Sequence, residues 1–571
     1  MIAVIPKTNQ SAVVEEFFQL FKTPWEFYRE GQSYEVVVAT AGEIPNTETR
    51  LLILYGADTK NYDSQAKLTV FSKVPHANLT YQGTLVPIYG DTLTFEPTAG
   101  SEPCVLTSSG IAGLKMYSTG TIVLRIGYDL FHEIGLLLNA GQPVEKASIP
   151  TLEIHIKMLR NWILEAGINL FEIPPVPAGH AFAICLTHDI DFVGIRNHMF
   201  DHTMWGFLYR STVGAFCELV RGRISLSRLL KSWRAAMSLP LVYLGWTRDF
   251  WLPFDWYLQI EKGLPTTYFM IPYKNRAGEK LSVEHPKRRA TAYDIMDISE
   301  WTALLIREGC EIGVHGIDSW HDVEKGREEL KRIATAVGND EIGVRMHWLL
   351  RDENSARVIE EAGYVYDSTA GYNESVGYRC GTTQAYRPLG AQRLLELPIH
   401  IQDGALFFSQ RLGLTEAEAW KRCKSLLHNS KEFGGVLNII WHDRSPGPER
   451  FWGDFYTRLV QEIKTYGVWF GTALQVVRWF QKRRNVTFEP VTLADGRRRV
   501  KLRSTRKKIE PPLLLRIHRP LSDRDKYQLL SIDSRTVIDI LWAGEVDIEL
   551  NEAMEISYGS QPNTALRSSE S

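Results

Sequence analysis

From Ala181 onward, short and nearly continuous apolar runs alternate with stretches whose apolar residues recur every three or four positions. The runs at 182–186, 267–271, 312–314, 342–346, 364–366, 394–401, 436–441 and 468–470 have the texture of parallel strands covered on both faces. Between them, 299–308, 322–336, 354–362, 415–432 and 451–466 carry helical spacing with one charged face. The alternation predicts an α/β domain over 176–485, built as a deformed (β/α) barrel of about seven units. An open doubly wound sheet is disfavoured because no glycine fingerprint follows the first strand.

The rest of the chain has a different pattern. Residues 1–175 mix strand-like runs (34–39, 51–55, 121–126) with helix-like ones (11–21, 149–166) and end at the joint Ile173-Pro174-Pro175-Val176-Pro177. This predicts a separate N-terminal α/β domain. Strand-like runs at 513–517, 537–541 and 546–550, after a basic stretch at 497–508, predict a small β-rich module over 486–558. Residues 559–571 read as a disordered tail.

A helical insertion is predicted over 194–255. Over its 196–234 part, Arg196, Arg210, Arg221, Arg223, Arg228, Lys231 and Arg234 outnumber Asp201 and Glu218 by seven to two, amid Trp205, Phe207, Tyr209 and Trp233. One reading is a hairpin with a solvated basic face. The other is a surface for anionic glycan, lipid headgroups or another protein, which would permit peripheral membrane contact.

Composition narrows the classes. A chain of 571 residues with 44% hydrophobic residues and 16 Trp is long and apolar enough for more than one core. Its 65 Lys and Arg against 67 Asp and Glu give no overall field favouring nucleic acid, so no nucleic-acid partner is expected. The six cysteines are scattered without a CxxC pair and read as reduced core thiols. With no basic leader ahead of a long apolar stretch and no transmembrane run, the expectation is a cytoplasmic protein.

Chemistry concentrates where the apolar runs end. The first finishes Thr187-His188-Asp189-Ile190-Asp191, and residues two apart in an extended segment share a face. Two carboxylates so close repel unless a cation lies between them or one is protonated. The third run delivers His315, and Ser319-Trp320-His321-Asp322 fits a capping box that would put His321 in the first turn of the next helix. Two imidazoles and a carboxylate suffice for a catalytic zinc. Other runs end in Arg345-Met346-His347, Asp367, Asp403 and His442-Asp443. Ionisable residues at the carboxyl ends of parallel strands are the arrangement of a shared active site.

Over 181–481 these residues resemble the polysaccharide deacetylase family, carbohydrate esterase family four, in its divergent members with a spaced DxD first motif. The resemblance implies a metal-dependent hydrolase that removes N-acetyl groups from amino sugars of a glycan, with a divalent metal, zinc first, as cofactor. Asp189 matches the catalytic base, Asp191 the metal-binding Asp, and His315 the first metal-binding His. The family's second His lies four residues on, where this chain has Ser319; His321, six residues on, is the expected third ligand and His347 its rival. Arg345 resembles the Arg that orients the base, Asp403 the carboxylate that tunes the acid, and His442 the general acid. Tyr378-Arg379-Cys380-Gly381-Thr382 looks like the loop shaping the pocket, which makes Tyr378 and Arg379, with His347, the expected substrate-binding residues. Two alternatives stay open: cleavage of another C–N bond, as in a cyclic imide or ureide, and an inactive scaffold that binds glycan.

Overall fold

The computed structural model describes residues 1–43, 48–118, 120–279, 289–492, 498–504, 510–520, 537–542, 548–550 and 556–558. They form two compact units. One comprises 1–179, 380–389 and the chain from Arg478 onward; the other comprises 180–379 and 390–477.

The second unit is built on one curled parallel sheet. Its strands are Ala183–Ile190, Thr266–Met270, Glu311–Gly316, Val344–Met346, Ile401–Gln402, Val436–Ile440 and Trp469–Phe470. Every pairing in it is parallel, which requires crossovers, and the helices Ser299–Arg307, Val323–Val337, Ser355–Ala362, Glu416–Phe433 and Gly453–Lys464 lie between successive strands. Single parallel bridges Val344–Asp367 and Asp367–Glu396 carry the curl from the Val344–Met346 edge toward the segment that ends in Ile401–Gln402. The result is a deformed (β/α) barrel. The expected 364–366 and 394–401 strands shrink to these bridges: Asp367 and Leu397 keep backbone bonds to the Leu395 and Asp367 carbonyls, and beyond them side chains take over as partners. Ser368 Oγ donates to the Leu397 carbonyl, and Glu396 accepts from the Ala370 N–H at 2.7 Å.

Burial follows the strands. All eight residues of Ala183–Ile190 are buried, including Thr187, His188 and Asp189, so the polar members must find partners inside. His188 points away from the carboxylates. Its Nδ1 meets the Trp441 carbonyl and its Nε2 meets Glu261, both at 2.9 Å, between the Tyr257 and Tyr268 rings. The histidine of the T-H-D-I-D segment is therefore a satisfied core residue.

In the first unit, parallel strands Trp25–Phe27, Ile2–Ile5, Val36–Ala39, Leu51–Tyr55 and Thr121–Ile126 continue into an antiparallel region through Gly110–Ser118. Helices Ser11–Phe21, Leu130–Asn139 and Thr151–Glu165 belong to the same unit. The strand Leu513–His518 pairs antiparallel with both Leu170–Glu172 and Val537–Trp542, and Val486–Thr492 pairs with Arg498–Ser504. The basic stretch 497–508 is described only over 498–504, and 559–571 lies outside the described residues. All six cysteines are free thiols.

Candidate metal centre

Three strand ends of the barrel carry the candidate metal group, and the two-residue period decides which side chains meet. Thr187, Asp189 and Asp191 fall on one side of the first strand and its continuation. Arg345 lies in Val344–Met346, in register with His315 on the neighbouring strand. Its buried guanidinium donates Nη1 to Asp189 Oδ1 at 2.7 Å and to Thr187 Oγ1 at 2.8 Å, and Nε and Nη2 to Ser368 at 2.9 Å each. The Phe269 ring lies 4.3 Å below it. Asp189 is thus held at one oxygen, in a fixed orientation, by a cation that has no freedom of its own.

His315 ends the Glu311–Gly316 strand, and its Nδ1 lies 3.0 Å from the Arg345 carbonyl. A carbonyl only accepts, so Nδ1 carries a proton and Nε2 is the ring nitrogen turned toward the interior. That Nε2 stands 3.2 Å from Asp191 Oδ1, and His347 Nε2 stands 3.5 Å from the same oxygen. Asp191 Oδ1 is buried and accepts no hydrogen bond. Lone pairs converging on one point are the arrangement a cation resolves. One ligand atom from each of Asp191, His315 and His347 lies within 4.8 Å of the others. Burial holds the His347 imidazole well below its ordinary pKa, against the pull of Asp191, so it stays neutral. Among the described residues, these three are the group that fits a metal ion.

His321, the expected third ligand, is not among them. The helix starts at Val323 with Asp322 as its N-cap, whose side chain accepts from the Lys325 N–H, so His321 precedes the helix. Its Nε2 is occupied by Asp318 Oδ1 at 2.9 Å. Glu329 reaches back from that helix to accept from the Ile317 and Asp318 N–H groups and from Ser319 Oγ, folding the loop onto its own helix. His347, its expected rival and an expected substrate-binding residue, stands in the candidate group instead. The chain turns sharply after it, with Trp348 and Leu349 both in the left-handed region (φ 68° and 54°). Buried Arg289 secures the turn by donating to the His347 carbonyl at 3.0 Å and the Ile317 carbonyl at 2.8 Å.

His442 follows the Val436–Ile440 strand. Its Nδ1 lies 2.5 Å from Asp403 Oδ1, its N–H donates to Asp403 Oδ2 at 2.8 Å, and its Nε2 lies 3.9 Å from Asp191 Oδ2. Asp403 also accepts from Ser445 Oγ and the Gly404 N–H. Burial disfavours the imidazolium, but Asp403, followed by Asp191 and Asp189, outweighs it and raises the His442 pKa to about 9. Asp403 itself is held below the ordinary carboxylate range: burial opposes its ionised form, but the charge and hydrogen bonds of His442 prevail. Neighbouring Asp443, pushed up to about 7 by burial and then by Asp191, accepts from the Phe192 N–H.

Asp189, Asp191, His315, His347 and His442 line one cavity of about 180 Å³, together with Trp348, Phe408, Arg411 and Arg450. The last four went unrecognised in the sequence because they lie beyond strand ends, in loops without periodicity. Tyr378 and Arg379 are not on its wall. Tyr378 is fully buried with its hydroxyl 3.4 Å from the Leu426 carbonyl, and the Arg379 guanidinium sits over Tyr372. The chain that follows, 380–389, belongs to the first unit, where Thr382 Oγ1 donates to Glu153. Asp367, the remaining strand-end carboxylate, is also outside the cavity and accepts from Thr369 Oγ1 at 2.5 Å.

No family model and no curated protein matches the chain. Solved structures similar to it include a probable polysaccharide deacetylase from Pseudomonas aeruginosa PAO1 (16% identity, 54% of this chain and 94% of that one, TM-score 0.33). Puue allantoinase is another (16%, 54% and 92%, TM-score 0.32). A third is a family 4 carbohydrate esterase from Streptomyces lividans (11%, 51% and 92%, TM-score 0.22).

Proposed function

We propose that the chain is a metal-dependent hydrolase that removes N-acetyl groups from amino sugars of a glycan, with Asp189 as base and His442 as acid. The observation that carries this reading is the convergence of unpaired lone pairs from Asp191, His315 and His347 beside two separately wired groups. One is a carboxylate aimed by Arg345; the other is an imidazole held charged by Asp403. The donor set of two imidazoles and one carboxylate suits zinc. When bound, such an ion supplies Lewis-acid polarisation of the acyl oxygen and favours ionisation of water.

The protein groups divide the remaining work. Arg345 occupies Asp189 Oδ1 and leaves Oδ2 to take the proton of the attacking water. As a new C–O bond forms and the C–N bond breaks, the amine nitrogen needs a proton to leave, and His442 Nε2–H delivers it. Asp403 keeps Nδ1–H of His442 in place throughout. The products are acetate and the free amine. Trp348 and Phe408 offer apolar faces at the cavity wall suited to a pyranose ring, and Arg411 and Arg450 offer cations for its oxygens or for an acidic neighbour.

The test is metal analysis joined to acetate release from a panel of N-acetylated glycans, with cyclic imides and ureides alongside. Metal-dependent acetate release that Asp189→Asn abolishes is expected. Turnover of a ureide without acetate release would move the activity to a different C–N bond, and a metal-free protein whose Asp189→Asn variant equals the parent would end the hydrolase reading.

A further inference from the structure

The insertion after the first barrel strand exposes the apolar residues that an ordinary helical hairpin would bury. Among the described residues, 22 large hydrophobic side chains are exposed, and 14 of them lie between Met199 and Trp246. They are ordered. Along the continuous helix formed by His202–Tyr209, Arg210–Gly214 and Ala215–Val220, exposed Trp205, Tyr209, Val213, Phe216 and Val220 follow one another in steps of three and four. Along Leu226–Tyr243 and just past its end, exposed Leu226, Leu230, Trp233, Met237, Leu241 and Leu244 do the same, within an arc of roughly 80° at the helical pitch.

Each helix therefore has two apolar faces. The inward one is already satisfied: Met204, Phe207, Leu239 and Val242 pack with Ile195 and Trp251 into a small core. The base of the second helix is fixed to the barrel, where Arg228 pairs with Glu416 at 2.9 Å and Asp454 at 3.1 Å and Ser232 donates to the Pro448 carbonyl. The outward stripes meet where the helices touch, since the Trp233 indole lies 3.5 Å from the Thr212 carbonyl, next to Val213. Met237 and Val220 are each 72% exposed and Trp246 is 75% exposed. Such side chains standing together in water are the signature of a covered surface.

Charge selects the cover. Basic residues exceed acidic ones seven to two over 196–234, in a chain whose net charge is −2. Both acids are spent within the hairpin: Asp201 caps the first helix, and Glu218 pairs with Arg221 and Arg223. Lys231 and Arg234 are exposed beside Trp233 and form no ion pair among the described residues. Aromatic and aliphatic tips interleaved with Arg and Lys, on helices whose other side is packed and anchored to the protein, match a layer that is apolar within and anionic at its face. Among the described residues no helix is long and apolar enough to cross a membrane.

We propose that the 199–246 hairpin is a peripheral docking module whose two exposed stripes enter the interface of an anionic phospholipid bilayer, with Lys231 and Arg234 at the headgroups. The test floats the full chain with phosphatidylcholine vesicles, with and without phosphatidylglycerol. Binding is expected only with phosphatidylglycerol, weakening as salt rises. Lys231→Glu/Arg234→Glu is expected to reduce it at least about thirtyfold, since two surface cations are removed. Val220→Ser/Met237→Ser is expected to reduce it about tenfold or more at every salt concentration. These positions are exposed, so unchanged thermal midpoints verify folding. Absence of flotation at low salt, or equal flotation of the parent and both variants, overturns the proposal. A lipid-free dimer that the serine variant abolishes, without flotation of the parent, assigns the stripes to a second copy and overturns it as well.

Discussion

Arg345→Met removes the cation from a buried ion pair while keeping the bulk of the side chain. Arg345 and Asp189 have side-chain exposures of 0% and 4%, and their 2.7 Å contact corresponds to a gross attraction of roughly 6 kcal/mol at an effective dielectric of about 20. Desolvation offsets much of that in the intact pair. Loss of one partner leaves Asp189 charged and uncompensated, and costs about 3–5 kcal/mol. The Ser368 carbonyl and Thr187 Oγ1 lose their donor at the same time, while Ser368 Oγ keeps the Asn438 Nδ2–H. Asp189→Asn in the Arg345→Met background removes the stranded charge. The double variant is therefore more stable than Arg345→Met alone, with a coupling of about 2–4 kcal/mol, and a residual loss of about 1–2 kcal/mol for the unmet acceptors. Urea unfolding of chelator-treated protein isolates the pair from any bound ion. A coupling below about 0.5 kcal/mol, or an Arg345→Met variant as stable as the parent, refutes the view that Arg345 exists to hold an ionised Asp189.

Further outcomes follow from the same geometry. Glu329→Ala removes the acceptor of three hydrogen bonds in the loop after His315 and is expected to cost about 3 kcal/mol by urea unfolding, with weaker metal binding; Glu329→Gln should recover part of both. His442→Asn should lower kcat/KM by roughly 10²–10⁴ while metal content, by mass spectrometry, stays unchanged. In the first unit, buried His155 has its pKa pushed down to about 3 by desolvation, with Nδ1 at the Tyr128 hydroxyl. The unfolded chain then binds a proton that the folded one refuses, so stability is full above the unfolded pKa near 6.5 and declines as pH falls toward 3. At pH 4.5 the deficit is about 2–3 kcal/mol, and His155→Gln, which retains a hydrogen-bonding side chain, should lose that part of the pH dependence in urea midpoints.

What could be read without the structure was what rests on short-range period. Uninterrupted apolar runs marked the buried strands because both faces of a parallel sheet are covered, and Leu51–Tyr55 and Thr121–Ile126 fall where the runs do. Asp189 and Asp191 were legible as a pair because two-residue spacing puts them on one side. The same spacing joins Arg345 to His347, and it was the better guide to the metal group than the loop spacing that favoured His321. His321 was lost to side-chain contacts that periodicity does not encode: Glu329, seven residues beyond the cap, ties the loop to its helix, and Asp318, three residues back, takes the imidazole. Tyr378 read as a pocket residue from its loop, yet its environment is set by Leu426, 48 positions away. Arg289 carries no local signal at all, since its acceptors are carbonyls of three other segments, at Ala277, Ile317 and His347. In the insertion, basic and aromatic content was visible in the chain, whereas which of its two apolar stripes faces inward depends on contacts with Trp251 and Pro448.

The central claim is that Asp191, His315 and His347 hold one divalent metal, and titration of chelator-stripped full chain with zinc tests it most directly. One tight equivalent is expected for the parent, an affinity lower by more than about 100-fold for His347→Ala, and parental binding for His321→Ala. Retained affinity in His347→Ala with loss in His321→Ala, or no tight equivalent in the parent, contradicts it.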